Sequence, residues 1–553
     1  MNAALAYAAD AYQTGGPRLM GAQAASEAFL KAWIRYSGVE RYYAYANSPA
    51  HFRSFQERLV ALGGSAAACV WIPMDQAPRL AEVGCLYHPD AFINDSAWLR
   101  RLGDERGYSI CGVTHTTCTD NMLDLMGDWS LAPTQPWDAV ICTSASVLAT
   151  VTHVFDNWEA YLRERLGATR FTRPQLPVIP LGVDAERFSD RAKCASQRRV
   201  LRAALGIGAS DVVFLFFGRL SFHAKAHPLP MFLALEAAAQ RTGKQLRLIL
   251  AGWFANEAIE KVFRAGAAKF CPSVKLHIVD GRKAEVREQI WHAADIFTSL
   301  SDNIQETFGL TPIEAMSAGL PLVISDWDGY RDTVRHGVDG FLVPTIMPPA
   351  GCGEEFAARY AAKVDPYDRY IAQQSQCTAV DIPLCTDYYV QLIESPELRA
   401  QLGNAGRQRA EAAFSWRGVI GAYQTLWREL AERRAAAPMS KPLSGPRLPL
   451  REDPLALFAN YPTRALTGAV LLELASPPAV QQLPLFYADP LANYVGAPVM
   501  LATQAECAAL LAELARGQRS VAELTSGFAS ERASVIVRSL GWLLKIGLVR
   551  LSR

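Results

Sequence analysis

Four side chains in the second half of this chain carry the types and spacing that could do chemistry. Glu306 and Glu314 stand eight positions apart around a Phe-Gly-Leu turn, and Arg219 and Lys225 lie in one loop upstream. A fixed guanidinium and a mobile ammonium suit a diphosphate: the first gives bidentate contacts, the second a point charge. Carboxylates beside such a site are costly unless they bind something neutral and polyhydroxylated, and they are strong acceptors for sugar or ribose hydroxyls. The run Ser301 to Gly319 sits between two apolar strand patterns, 294–300 and 320–325, so it reads as a strand-to-helix turn with Gly309 at its apex. Backbone N–H groups of Gly309, Leu310 and Thr311 at such a helix start attract phosphate. Glu306 falls in the loop and Glu314 about one turn into the helix, so both can face one crevice. Alone, each acid would read as an ordinary helix cap or surface charge.

These residues need strands and helices in alternation to position them, and the chain supplies that pattern. Residues 3–12 read as a buried strand, followed by a glycine-rich loop holding Gly15 and Gly16 and a helix over 22–36. A glycine loop between strand and helix lets backbone approach a ligand. Further strands are expected at 42–45, 68–72, 84–87 and 108–114, with a helix at 54–62. His115 follows the strand at 108–114, at the carboxyl end where open α/β sheets bind ligands; a turn-capping role fits it equally well. Residues 137–144 give another strand, and 176–184 a short one that ends in turn residues. The polar stretch 189–196 lacks periodicity and marks a domain break. A second series begins with the wholly apolar 212–217 and continues at 245–251, 275–279, 320–325 and 340–343. Apolar strands alternating with helices imply parallel sheets covered on both faces.

Composition narrows the function classes. The 553 residues carry 55 Lys+Arg and 54 Asp+Glu, a formal charge of +1, which argues against a protein built around bulk nucleic-acid binding. Eleven cysteines without a Cys-x-x-Cys pair suit a reducing cytoplasm and give no metal framework. Asp326-Trp327-Asp328 invites a metal reading, but a turn with two solvated acids accounts for it better. The apolar start, 1–9, lacks a preceding Lys or Arg and reads as a strand, not a leader. No run approaches the ~18 apolar residues that span a bilayer. Arg163, Arg165, Arg170 and Arg173 suit an anionic acceptor, a membrane surface, or simply a solvated helix face.

The run Glu306-Thr307-Phe308-Gly309-Leu310-Thr311-Pro312-Ile313-Glu314-Ala315-Met316 resembles the Glu-x7-Glu signature of the retaining glycosyltransferases of family four. The resemblance covers roughly residues 3–435. It implies a GT-B fold, two doubly wound Rossmann-like domains facing a cleft, with a nucleotide-sugar as co-substrate, no other cofactor and no metal. It assigns an acceptor-side domain to 1–190, a donor domain to 191–414, and a helix over 415–434 that returns to the first domain. Arg219 and Lys225 would clamp the diphosphate, although the family usually has the lysine five after the arginine and here it is six. Glu314 would hold ribose, Glu306 the transferred sugar, and Arg282 would frame the base. His115 and the Gly15-Gly16 loop would close the cleft from the acceptor side. The acceptor is left open as glycan, lipid, protein or small molecule. Alternatives are a GT-B epimerase or phosphorylase, or a non-catalytic sensor of nucleotide sugars.

Two segments fall outside that pattern. Residues 346–379 read as an irregular insertion at the mouth of the cleft. After an Ala/Pro/Ser-rich linker at 435–455 comes an accessory region, 456–553, with helices expected at 503–516, 521–528 and 531–545. It looks like a winged helix, and its modest basic charge favours a protein partner or self-association over DNA. The chain as a whole is expected to be cytoplasmic, at most peripheral to a membrane.

Overall fold

The computed structural model describes residues 1–12, 21–438, 445–495 and 500–552; Gly15 and Gly16 lie outside the described residues. The chain divides into two compact units, Met1–Leu448 and Pro449–Arg553.

The first unit contains two six-stranded parallel sheets. One is built from β1 (Ala4–Ala6), β2 (Tyr42–Ala46), β3 (Cys69–Pro73), β4 (Cys85–Tyr87), β5 (Ser109–Val113) and β6 (Ala139–Ile141), in the order β3-β2-β1-β4-β5-β6. The other uses β7 (Val212–Phe217), β8 (Leu246–Gly252), β9 (Val274–Asp280), β10 (Ile296–Ser299), β11 (Leu322–Ser325) and β12 (Gly340–Val343), in the order β12-β11-β10-β7-β8-β9. Both orders are doubly wound, so each sheet has a switch point beside its first strand, β1/β4 and β7/β10, where open sheets take ligands. This is the GT-B architecture expected from the sequence.

Helices cover both faces of each sheet. The first half has α1 (Gly21–Tyr36), α2 (Pro49–Ala61), α3 (Asn94–Arg100), α4 (Asp120–Trp129) and α5 (Ala145–Leu166). The second has α6 (Arg191–Ala204), α7 (Pro228–Thr242), α8 (Glu257–Phe270), α9 (Ala284–Gln289), α10 (Leu310–Ala318) and α11 (Tyr330–Thr333). An insertion follows, β13 (Thr345–Ile346), α12 (Glu354–Ala361), α13 (Tyr367–Gln376) and β14 (Ala379–Val380), then α14 (Ile382–Glu394), α15 (Pro396–Phe414) and α16 (Trp416–Ala436).

Several expectations need correction. The first strand stops at Ala6, and Ala9–Tyr12 form a 3-10 turn whose Tyr12 ring stacks on Tyr7 at 5.2 Å. Residues 176–184 form isolated bridges rather than a strand, Val178 with Cys142 and Val183 with Ser415. The polar stretch 189–196 is the start of α6, capped by Asp190. Further along the helix, Arg198 pairs with Asp295, and Arg202 donates to the same carboxylate at 3.0 Å, at the foot of β10. Of the four arginines on and after α5, Arg165 and Arg170 are exposed, whereas Arg163 and Arg173 converge on Glu159 at 3.0 and 2.6 Å. The insertion is two helices, not an irregular loop.

Helix α16 returns to the first sheet as expected. Trp427 is fully buried, with its ring 5.0 Å from Trp33 and 5.9 Å from both Tyr87 and Tyr423. One helix from the end of the chain's second half thus completes the core of its first half.

The second unit, taken by itself, has β15 (Leu471–Leu474) between β16 (Arg519–Ser520) and β17 (Val549–Leu551), all antiparallel. The unit's helices are α17 (Pro454–Leu457), which is exposed, and α18 (Ala479–Ala488), α19 (Gln504–Ala515), α20 (Val521–Ser526) and α21 (Ala533–Lys545), which contribute to its core. The three helices read from sequence are α19, α20 and α21, and capping boxes start the first two, Thr503 with Glu506 and Ser520 with Glu523. The middle strand of the sheet comes from upstream of the helices. Leu472, Leu510, Leu514, Ile536 and Leu540 form the core.

Trp427→Ala should cost about 3–5 kcal/mol, the usual range for truncating a buried aromatic. Denaturant unfolding followed by circular dichroism measures it, and a loss under about 1 kcal/mol would show that α16 does not build this core.

Candidate functional site

The site is assembled where β7 and β10 end, on either side of the second switch point. β7 delivers Gly218 and Arg219, and the loop that follows carries Lys225. β10 delivers the loop 301–306, and α10 begins just beyond it.

The Lys225 ammonium is ion-paired with the Glu306 carboxylate, and their side chains are only 21% and 10% exposed. Burial pulls the ammonium down, but Glu306, helped by Tyr330, outweighs it and holds the group above its ordinary value. The Arg219 guanidinium donates to the Ala224 carbonyl and to Gln305 Oε1, both at 2.9 Å. Burial lowers it, while Asp368, Tyr367 and Glu306 oppose the shift. Two cations and one carboxylate therefore share a partly buried groove.

The loop is held by side chains rather than by secondary structure. Asn303 Nδ2 donates to the His223 carbonyl at 2.6 Å, and its Oδ1 accepts from the Gln305 amide at 2.9 Å. Its carbonyl accepts from the Glu306 amide and from Trp327 Nε1, both at 3.1 Å. Ser301 Oγ donates to the Lys225 carbonyl at 3.1 Å, which ties the two loops together.

Gly309 begins α10 with φ +85°, and a Cβ there would lie 2.2 Å from a ring carbon of Tyr330. Both the backbone conformation and the space require glycine. No side chain caps α10 at this end, so the first-turn amides are left to other acceptors. Leu310 is half-buried and packs on the core, and Thr311 follows it on the same turn.

The other candidates are placed as follows. Glu314 lies on α10 and faces Arg187 at 3.7 Å; burial raises its carboxyl, and Arg187 and Arg287 oppose this. Arg282, exposed on the turn after β9, is engaged by Asp280 at 2.9 and 3.0 Å. His115 donates from Nε2 to the Pro89 carbonyl at 2.8 Å, and burial lowers its pKa against that bond and Asp90, which favours the neutral ring. The ring does not meet Glu306; instead the His115 carbonyl accepts from Thr307 Oγ1 at 2.9 Å, which joins the two halves beside Glu306. Arg219, Lys225 and Glu306 are thus brought together, and Glu314 and Arg282 take separate partners.

Four residues escaped the sequence reading as site parts. Gln305 and Asn303 lie just ahead of the Glu306–Met316 motif, and nothing in their type announced a role in holding it. Arg187 precedes α6 and meets Glu314 only because the chain folds back. Asp328 is the fourth, and it corrects the expectation of two solvated acids. Asp326 pairs with Arg331 at 3.3 Å, whereas Asp328 is half-buried at φ +45°, a conformation uncommon for a residue with a side chain. Burial, with Glu306 nearby, raises its carboxyl to about 8, against bonds from Gly329 and Ser144. The next residue, Gly329, crosses so close that a Cβ would lie 2.5 Å from the Thr307 carbonyl. The neighbouring Asp332 accepts from the Ala145 amide at 2.6 Å, at the start of α5.

Residues 197–348 match the family model described as glycosyl transferases group 1. The chain is 29% identical over 277 residues to a D-inositol 3-phosphate glycosyltransferase of Geodermatophilus obscurus, covering 47% of this chain and 48% of that protein. It is 30% identical over 202 residues to the protein of the same name from Thermobispora bispora, covering 36% and 44%. The chain spans about half the length of the curated relatives it matches. Among solved structures, Anabaena HepE in complex with UDP aligns at a TM-score of 0.48 and 17% identity, over 75% of this chain and 98% of that one. Sucrose-phosphate synthase from Thermosynechococcus elongatus aligns at 0.45 and 17%, over 77% and 98%. Among the described residues, no helix is long and apolar enough to cross a membrane.

Asp328 gives a pH prediction. Its folded pKa of about 8 exceeds the unfolded value of about 3.9, so between those limits the folded state holds the extra proton and stability falls as pH rises. Asp328→Asn removes that loss, and Asn tolerates the same backbone conformation. Measured by thermal melts, the variant should gain on the parent steadily from pH 5 to pH 8; a constant difference would place Asp328 in water.

Proposed function

We propose that the protein is a glycosyltransferase that moves a sugar from a nucleotide-sugar donor to an acceptor hydroxyl with retention of anomeric configuration and without a metal ion. The observation that carries this reading is the grouping of Arg219, Lys225 and Glu306 at the β7/β10 switch point, ahead of the uncapped start of α10. Cations and helix amides suit a diphosphate, and the carboxylate suits the hydroxyls of the sugar attached to it. The match of residues 197–348 to the group 1 family covers this half of the site.

In this reading the donor diphosphate competes with Glu306 for Lys225. Lys225 then turns to phosphate, and Glu306 is freed to accept from the transferred sugar and orient it. Arg219 and the first-turn amides of α10 stabilise the charge that grows on the leaving nucleoside diphosphate as the anomeric C–O bond breaks. The acceptor oxygen attacks from the same face, and its proton passes to the leaving phosphate oxygen. Glu314 holds the ribose, where burial raises its carboxyl and Arg187 opposes the rise. His115 and the Thr307 bond set the first domain against the reacting sugar.

A screen of nucleotide sugars for release of free nucleotide, followed by transfer of labelled sugar to a separate acceptor, tests the activity. Label that never leaves the donor would point to epimerisation instead. Glu306→Ala and Arg219→Ala should each lower turnover by roughly 10²-fold or more, and unchanged turnover in both folded variants would remove the assignment. Glu314→Ala should weaken donor binding by about 1.5–3 kcal/mol, the worth of a charged hydrogen bond. Calorimetric titration with the donor reads this directly.

A further inference from the structure

The insertion formed by α12 and α13 stands on the short β13–β14 pair and is braced within itself. Arg359 and Arg369 both bind the buried Asp365, at 2.8 and 3.3 Å, and Gln373 donates to it at 3.0 Å. Tyr360 and Tyr370 stack at 4.4 Å with 7° between their planes.

This braced body touches both halves of the first unit. Toward the first sheet, Tyr360 Oη accepts from the Asp120 amide at 3.1 Å, Lys363 pairs with the Asp120 carboxylate, and Tyr367 Oη meets Cys118 Sγ at 3.2 Å. Toward the second, Gln374 Oε1 accepts from the Ile304 amide at 3.2 Å. Ile371, fully buried, packs with Cys118, Ala224 and Ile304, which come from three different loops. Gln374 is itself oriented, because its Nε2 donates to Thr378 Oγ1 at 2.8 Å. Gln374 of α13 therefore grips residue 304, next to Asn303, whose own groups hold the Gln305 and Glu306 amides.

We propose that the α12–α13 hairpin is the positioning element of the Glu306 loop, and that Gln374 is the residue through which it acts. The loop lacks helix or ladder bonds of its own, so its shape depends on these side chains. A misplacement of about 1 Å in a reacting constellation can cost up to ~10²-fold in rate. By bonding to Asp120 and Cys118 as well, the hairpin fixes that loop relative to the first domain. The kinetic part of the proposal rests on the glycosyl-transfer reading; the structural part does not.

Gln374→Met keeps the shape and removes the acceptor, and Gln374→Glu keeps an acceptor oxygen. In Gln374→Met, hydrogen exchange of a peptide spanning Ile304 should quicken by ~5-fold or more, while peptides from β7 and β8 keep their protection. Affinity for UDP, GDP and ADP, each tested alone, should stay within about 2-fold, and kcat should fall about 10-fold with the donor KM little changed. Gln374→Glu should recover most of both effects. Unchanged exchange at Ile304, or equal loss of protection in β7 and β8, would overturn the proposal, as would faster exchange with unaltered kcat. If the parent protein transfers no sugar from any donor while the exchange result holds, the reading of the reaction fails and the positioning role stands.

Discussion

The ion pair between Lys225 and Glu306 is the contact on which the rest of this site depends. Both groups are largely removed from water, and such burial is costly unless the charges meet closely and their surroundings are polar. Proteins seldom retain an arrangement of this kind for stability alone. Here β7 and β10, neighbours in the sheet but more than 70 residues apart in sequence, bring the two groups together. The neighbouring structure then keeps the pair polar: Gln305 and Ala224 engage Arg219, Tyr330 lies near Lys225, and α10 begins a few residues after Glu306.

Around this pair the structure closes the first unit from several directions. Helix α16 carries the end of the second half into the core of the first. The Thr307 hydroxyl meets the His115 carbonyl, Asp332 meets the start of α5, and the α12–α13 hairpin spans Asp120 and Ile304. The Thr307, Asp332 and Asp120 contacts cross between the halves, and Gln374 ties the same hairpin to the Glu306 loop. Small displacements between the two sheets would therefore be felt at Glu306.

Much of the fold was legible because its strands are apolar throughout, which is the mark of parallel sheets buried on both faces. β7 was read to the residue for that reason, β10 was expected over 294–300 and occupies 296–299, and Gly319 ends α10 in a left-handed conformation. The reading failed where polarity had a structural use. The start of α6 looked like a linker because it is polar, and the apolar anchors of the helix, Leu201 and Leu205, lie at and beyond its far end. The insertion looked irregular because its helices are short and pack through tyrosines instead of an aliphatic stripe. Asp328 looked solvated because nothing in Asp-Trp-Asp-Gly shows that Gly329 will press the turn against Thr307.

By itself the sequence determined the alternation of strands and helices, the glycine at the head of α10, and which charged residues stand at strand ends. Those follow from local rules: periodicity of apolar residues, backbone freedom, and the polarity of turns. The tertiary structure alone decided that Lys225 meets Glu306, that Glu314 turns to Arg187, that His115 offers its backbone instead of its ring, and that Gln374 holds Ile304. Each of these joins positions far apart in the chain. Their energies come from desolvation and close hydrogen-bond geometry, which exist only once the sheets, α16 and the insertion have packed.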